Sequence, residues 1–413
     1  MTNITGFAAR SLAGGTLFRS LGKALLALSL IILSAKVARA YPSFIGYSYT
    51  TCITCHYNST GNGPLTDYGR ALFAQEIAAR TWIPKSVSDD RLAELSGFLP
   101  GVEIPHFRPS LKYRGLWLNA QTRSANERSR WIHMQRDVSG TFFVDPAQRT
   151  IFTFTYGLLD RTRDYYGKGE QTEFVSREHY LRFYATKELL VAVGLMDRVF
   201  GIKHEDHTAV NRGGWGSLRL GLNQDSQAHG VLLQYFKNDW DLAFHAFMGN
   251  YLEEEKRRMP GFSVMGEYEI FEKNRLGGSM IHWGNEAEQK TAIAIHDRWG
   301  LPKAHGSSIM AEAGVQQRQD KAPNGKTTLG NYIWIQALVH LTRGYNLIST
   351  IERFQDETKY TSTEAQRWTF GFLTFPFQRT EVRFTSVQSK YFNPEGGAPD
   401  DVWALQGQLH VSW

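Results

Sequence analysis

The sequence predicts a mainly β protein: a transmembrane antiparallel β-barrel of about 16 strands (roughly 14 to 18), preceded by a small helical N-terminal segment. Three observations carry this. From His106 to Trp413 short alternating segments follow one another, rich in aromatic residues, separated by polar turns of Gly, Asn, Asp and Lys, with no helical pattern of useful length. The last segment places Trp403, Leu405, Gly407, Leu409, Val411 and Trp413 on one face and Ala404, Gln406, Gln408, His410 and Ser412 on the other. That is the period of a strand with one apolar and one wet side. The mean hydropathy of −0.36 suits a barrel whose lumen is polar.

The same alternation recurs where Phe152, Phe154, Tyr156 and Leu158 stand against Thr153, Thr155 and Gly157. It recurs again where Trp368, Phe370 and Phe372 stand against Arg367, Thr369 and Gly371. A soluble sandwich also alternates, so the ends of the segments matter. Trp117, Trp131, Tyr235, Trp240, Trp299 and Tyr332 lie near segment ends, where interface girdles of a membrane barrel would sit. Backbone groups in lipid must all be paired, so an all-strand membrane protein has to close. The 308 residues from 106 to 413, at ~11 per strand plus a turn, give the strand number. The count slips at Asn223 to Asn238 and at Leu252 to Gly261.

This repetitive region, ending on an aromatic residue at the edge of an amphipathic strand, resembles the outer-membrane porins of Gram-negative bacteria in texture rather than in any motif. The resemblance implies an outer-membrane location with lipid around the barrel.

At the other end, Arg10, Arg19 and Lys23 precede an apolar run from Ala24 to Leu33, then Ala38-Arg39-Ala40. A basic region, a short apolar core and an A-x-A site read as a secretory signal peptide over residues 1–40, with the mature chain beginning at Tyr41. The apolar run falls short of the ~20 residues that span a bilayer. Five basic residues and no acidic one leave with this peptide, so the formal charge of +6 falls to +1. A near-neutral mature protein gives no reason to expect nucleic acid.

The chain has two cysteines, and they stand in Cys52-Ile53-Thr54-Cys55-His56. A thioredoxin-type pair or half a zinc site would use the same Cys-x-x-Cys spacing. A histidine directly after the second cysteine, in an exported chain, points instead to covalent attachment of one haem c. Two thiols at this spacing reach the two vinyl groups of one porphyrin edge, and His56 turns its imidazole under the iron. Residues 41–105 therefore read as a haem-binding segment and 106–413 as the barrel. Within the segment, Leu65 to Arg80 reads as a helix after the turn Gly61-Asn62-Gly63-Pro64, and Ser88 as the N-cap of a second helix running to about Gly97.

The second axial ligand is open. Residues 57–105 hold no histidine and no methionine, so the Met/His pairing of many small cytochromes is not available locally. Tyr41-Pro42-Ser43-Phe44 ahead of the motif resembles the start of cytochrome f, a resemblance that implies the α-amine of Tyr41 as ligand. Cys52 follows that tyrosine much sooner here. His204 and His207, flanking Glu205-Asp206 in a long connection, are further candidates, as is His106 at the junction with the barrel. Tyr57 and Tyr47 complete the set, and an open position is the remaining alternative. Asp160-Arg161-Thr162-Arg163-Asp164 and Glu253 to Arg258 mix charges and read as solvated loops or lumen lining.

Three functions compete. The first is electron transfer with periplasmic or surface redox proteins. The second is porin-like transport, with the haem segment facing the periplasm or lumen as plug or redox-sensitive gate. The third is a redox enzyme with an open iron position, for which an exchangeable ligand site is required.

Overall fold

The computed structural model describes residues 42–61, 63–100, 102, 104–121, 129–162, 170–203, 227–237, 239–391 and 400–413. The expected signal peptide, Tyr41, His204 and His207 lie outside the described residues. Sixteen strands form one closed antiparallel barrel. They are β1 Phe107–Gln121, β2 Arg130–Phe143, β3 Thr150–Thr162, β4 Glu170–Tyr184, β5 Leu189–Met196, β6 Ala228–Lys237, β7 Trp240–Phe247 and β8 Gly261–Phe271, followed by β9 Asn274–Gly284, β10 Glu288–Gly300, β11 Ser308–Asp320, β12 Thr327–Thr342, β13 Tyr345–Gln355, β14 Glu364–Phe377, β15 Thr380–Tyr391 and β16 Asp400–Ser412. Each strand pairs with its sequence neighbours, and β1 closes on β16 from Lys112 opposite Ser412 to Gln121 opposite Trp403. Closure leaves no edge, which lipid demands.

The alternation has the expected consequence in space. Trp368, Phe370 and Phe372 on β14 are exposed, whereas Arg367 and Thr369 between them are 3% and 7% exposed and face a packed lumen. The wet face is thus the inside. Arg367 pairs there with Glu352 at 2.8 Å, one of several ion pairs that satisfy charges in the narrow interior. Trp131, Trp240 and Trp299 are exposed, as girdle residues should be. Tyr332 is not a girdle residue: it is buried in the lumen and donates its hydroxyl to Glu312 Oε1 at 2.7 Å.

One end of the barrel carries the start of β1, the end of β16 and short turns such as 343–344 and 378–379. Residues 42–105 fill this mouth. Gly306 N donates to Gly46 O at 2.9 Å and Ala79 N to Phe375 O at 2.8 Å. Arg343, in the turn between β12 and β13, donates to Ala74 O and Ala78 O, each at 2.9 Å, and pairs with Asp89. Arg379 in the next turn reaches the carbonyls of Ser96 and Gly97, and its guanidinium lies 4.1 Å over the Trp413 ring. Tyr47, Cys55, Leu72 and Ile77 pack with Leu338, Ile348, Leu373 and Phe375 of the wall in one apolar cluster. From the opposite direction the segment after β5 folds inward, burying Val199, Phe200 and Ile202.

The helices are shorter than the sequence pattern suggests. Helix α1 is Asp67–Leu72, with the Thr66 hydroxyl accepting from Gly69 N at 3.0 Å, and a π-helical turn Phe73–Ile77 continues it. It stops before Arg80 because Ala78 O accepts from Arg343 and Ala79 N donates to Phe375 O, both on the barrel. Helix α2, Asp89–Glu94, has the expected Ser88 cap, which accepts from Arg91 N at 3.1 Å, and ends ahead of Gly97.

Candidate functional site

The Cys-x-x-Cys-His run lies in a tight 3-10 turn, Cys52–Thr54, in which Cys55 N and His56 N both donate to Cys52 O, at 3.2 and 3.0 Å. His56 then pairs as an antiparallel bridge with Leu65, flanked by Thr66 N to Cys55 O at 2.9 Å and Tyr57 N to Pro64 O at 3.1 Å. Residues 57–61 and 63–64 lie between these two lines. Gly61 has φ +79° there, and a Cβ on it would stand 2.9 Å from Cys52 Sγ. A Cβ on Gly69 would stand 2.4 Å from Cys55 O, so α1 packs directly on the motif. Both cysteines are free thiols. Burial pushes the Cys52 thiol up to about 11 and the Cys55 thiol up to about 12.

Lumen side chains hold this loop from outside. Arg298 on β10 donates Nη2 to Thr50 O at 3.0 Å, and Arg275 on β9 donates to the same carbonyl at 3.3 Å. Glu267 on β8 ties Arg298 to His296, whose Nε2 lies 3.1 Å from Glu267 Oε1. Asn58 donates to Glu178 Oε1 at 2.7 Å, and Lys112 donates to Gly63 O at 2.7 Å.

Cys52, Cys55 and His56 share one cavity, with an empty volume of about 1610 Å³ including the solvent at its mouth. Leu65, Leu72, Phe73 and Ile77 give it an apolar wall, while Arg70, Lys112, Arg114, Lys203, Arg298 and Arg379 bring cations to it. The donor set, the apolar wall and the cationic rim match a porphyrin, whose ring is apolar and whose propionates are anions. The motif residues therefore fit haem c.

The other candidates are placed as follows. His106 is exposed, takes a left-handed conformation at φ 57°, and does not line this cavity. Tyr57 is buried against Phe143 with ring centroids 5.7 Å apart, away from the cavity lining, and burial pushes its hydroxyl up to about 12. Tyr47 is buried beside His305. The run Glu253 to Arg258 is a solvated loop on the far side of the barrel. A residue the sequence reading used only as part of a wet strand face, His410, lines the same cavity as His56. Sequence spacing gives no sign of this, since 354 positions separate the two histidines and closure of β1 on β16 brings them to one site.

The architecture is that of a 16-stranded porin-type barrel with its mouth filled by its own N-terminal segment. No family model matches the chain, and no curated protein matches it. Among solved structures, it is similar to the outer-membrane OmpT of Vibrio cholerae, at 8% identity and TM-score 0.54, covering 76% of this chain and 99% of that one. It is similar to the outer-membrane channel DcaP of Acinetobacter baumannii, at 10% identity and TM-score 0.54, covering 74% of this chain and 97% of that one. The anion-selective porin from Comamonas acidovorans gives the same TM-score of 0.54 at 9% identity, covering 74% and 99%. Identities this low speak for the fold.

Proposed function

We propose that this chain is an outer-membrane barrel carrying one covalent haem c, bound through Cys52 and Cys55 and ligated by His56, and that it serves electron transfer between periplasmic or surface redox proteins. The observation that carries this reading is the shared cavity: two unbonded thiols and the following histidine open into one apolar-walled, cation-rimmed space inside the barrel mouth. Bound haem would supply one-electron chemistry at the iron.

The chain's own residues would do the rest. Held in and beside the 3-10 turn, Cys52, Cys55 and His56 line the same cavity and would present two sulfurs and an imidazole to the group. Leu65, Leu72, Phe73 and Ile77 would keep water from the ring, and Lys112, Arg114 and Arg379 would offer charge to its carboxylates. One redox centre does not bridge a ~30 Å bilayer, so outward electron flow requires a partner or a diffusing shuttle.

A second reading has an observation of its own. The likeness to channel proteins favours transport, with residues 42–105 as plug or gate. Peroxidase staining of denaturing gels separates the two. Wild type should stain and Cys52→Ala/Cys55→Ala should not, while unstained wild type from cells with haem-attachment machinery leaves the transport reading standing.

A further inference from the structure

We infer that His410 is the second protein ligand of the iron, with His56 the first; this rests on the haem reading above. Among the described residues that line the cavity, His56 and His410 are the histidines and none is a methionine. Two other lining donors are already committed: Lys112 donates to Gly63 O at 2.7 Å, and Tyr49 and Tyr68 share a hydroxyl contact at 2.9 Å. Lys203 is paired with Asp197.

His410 has the arrangement of a ligating imidazole. It sits on β16 in register with Glu381 on β15 and Arg114 on β1. Its Nδ1 lies 3.1 Å from Glu381 Oε2 and 3.3 Å from Arg114 Nη2. The carboxylate only accepts and the guanidinium only donates, so the two contacts compete for Nδ1; with the proton on Nδ1, toward the closer carboxylate, the lone pair lies on Nε2. That Nε2 is buried and has no hydrogen-bond partner among the described residues. A buried acceptor without a partner costs about 1–3 kcal/mol, which coordination would offset. Histidine ligands generally donate their second N–H to a carboxylate in this way, fixing the ring and raising its basicity. Arg383 Nη2, 3.4 Å from Glu381 Oε1, holds that carboxylate in turn. Glu381 is thus a positioning residue for His410.

The test uses the full-length protein matured in cells with haem-attachment machinery, with visible and EPR spectra and carbon monoxide titration. Wild type should carry covalent, low-spin iron that does not bind carbon monoxide when reduced. His410→Ala should retain covalent haem and the heat-modifiable mobility of a folded barrel, but turn high-spin and bind carbon monoxide stoichiometrically. Added imidazole should restore the low-spin spectrum of His410→Gly, which separates a lost ligand from a collapsed site. Glu381→Gln should keep the iron low-spin and raise its midpoint potential. Low-spin iron unchanged in His410→Ala, or converted by His106→Ala or by extending the mature N-terminus beyond Tyr41, would overturn the assignment, as would wild-type iron that is already high-spin. Absence of covalent haem from folded wild type overturns the haem reading itself.

Discussion

Arg298, at the lumen face of β10, donates to the carbonyl of Thr50 two residues ahead of Cys52, at 3.0 Å, while its guanidinium also pairs with Glu267. The wall of the barrel therefore holds the cysteine loop through its backbone, without fixing its sequence. Arg298→Ala leaves the Thr50 carbonyl with only the longer bond from Arg275 and leaves Glu267 buried with fewer partners. Breaking a buried pair from one side costs on the order of 3–5 kcal/mol. We expect faster proteinase K cleavage within residues 48–56 and a lower temperature for loss of the folded gel mobility, with Arg298→Lys intermediate.

The grip of α1 on β1 should fail in acid. Arg108 on β1 donates to both carboxylate oxygens of Asp67, at 2.8 Å from Nε to Oδ1 and 2.8 Å from Nη2 to Oδ2, and Arg70 adds a third bond. Burial alone would raise this carboxyl, but the hydrogen bonds from Arg108 and Arg70 outweigh it and hold Asp67 below its ordinary 3.8. A depressed carboxylate contributes stability that is complete above the unfolded value and is lost as pH falls through the folded one. Amide exchange in residues 66–77 should therefore stay slow above about pH 4 and quicken below it, and Asp67→Asn should flatten that step. A step of equal size in Asp67→Asn would assign it to other carboxylates.

The two faces of β14 should answer oppositely to substitution. Phe370, midway along the strand, is exposed on the lipid side. Phe370→Arg should cost ~2–4 kcal/mol in urea unfolding from lipid vesicles. Thr369 points inward, and its buried Oγ1 has no hydrogen-bond partner among the described residues. Thr369→Val should be within ~0.5 kcal/mol of wild type or slightly stabilising, because it removes an unsatisfied hydroxyl at nearly constant shape.

Gly344 supplies a lever on the mouth. It has φ +84°, and a Cβ there would stand 2.5 Å from Ala79 Cβ. Gly344→Val should push residues 78–79 off the wall, break the Ala79 N to Phe375 O bond and raise single-channel conductance in planar bilayers above that of wild type. Equal conductance would mean that this contact does not close the pore.

Much of the barrel was legible in the sequence because one face of a strand such as β14 is apolar and the other polar, so its phase is unambiguous. Tyr332 shows where that fails. On β12, Leu329, Ile333 and Ile335 alternate with Tyr332 and Trp334, and both sets are apolar. The pattern then marks a strand without saying which face is inside. The Ser88 cap was legible because its chemistry is local. The early end of α1 and the inward fold of Val199 to Ile202 were not, since each is decided by a barrel surface distant in sequence. His410 belongs with these: its value lies in the register that sets it beside Glu381 and in a cavity it shares with a residue near the other end of the chain.

The most direct test of the central claim is the intact mass of the denatured protein purified from the outer membrane of cells that attach haem to exported proteins, followed by mapping of its proteolytic peptides. The account predicts the mass of the mature chain plus one haem, with all of the added mass on the peptide that contains Cys52 and Cys55. A folded barrel whose mass shows no addition, with both cysteines recovered as alkylatable thiols after denaturation, would contradict it.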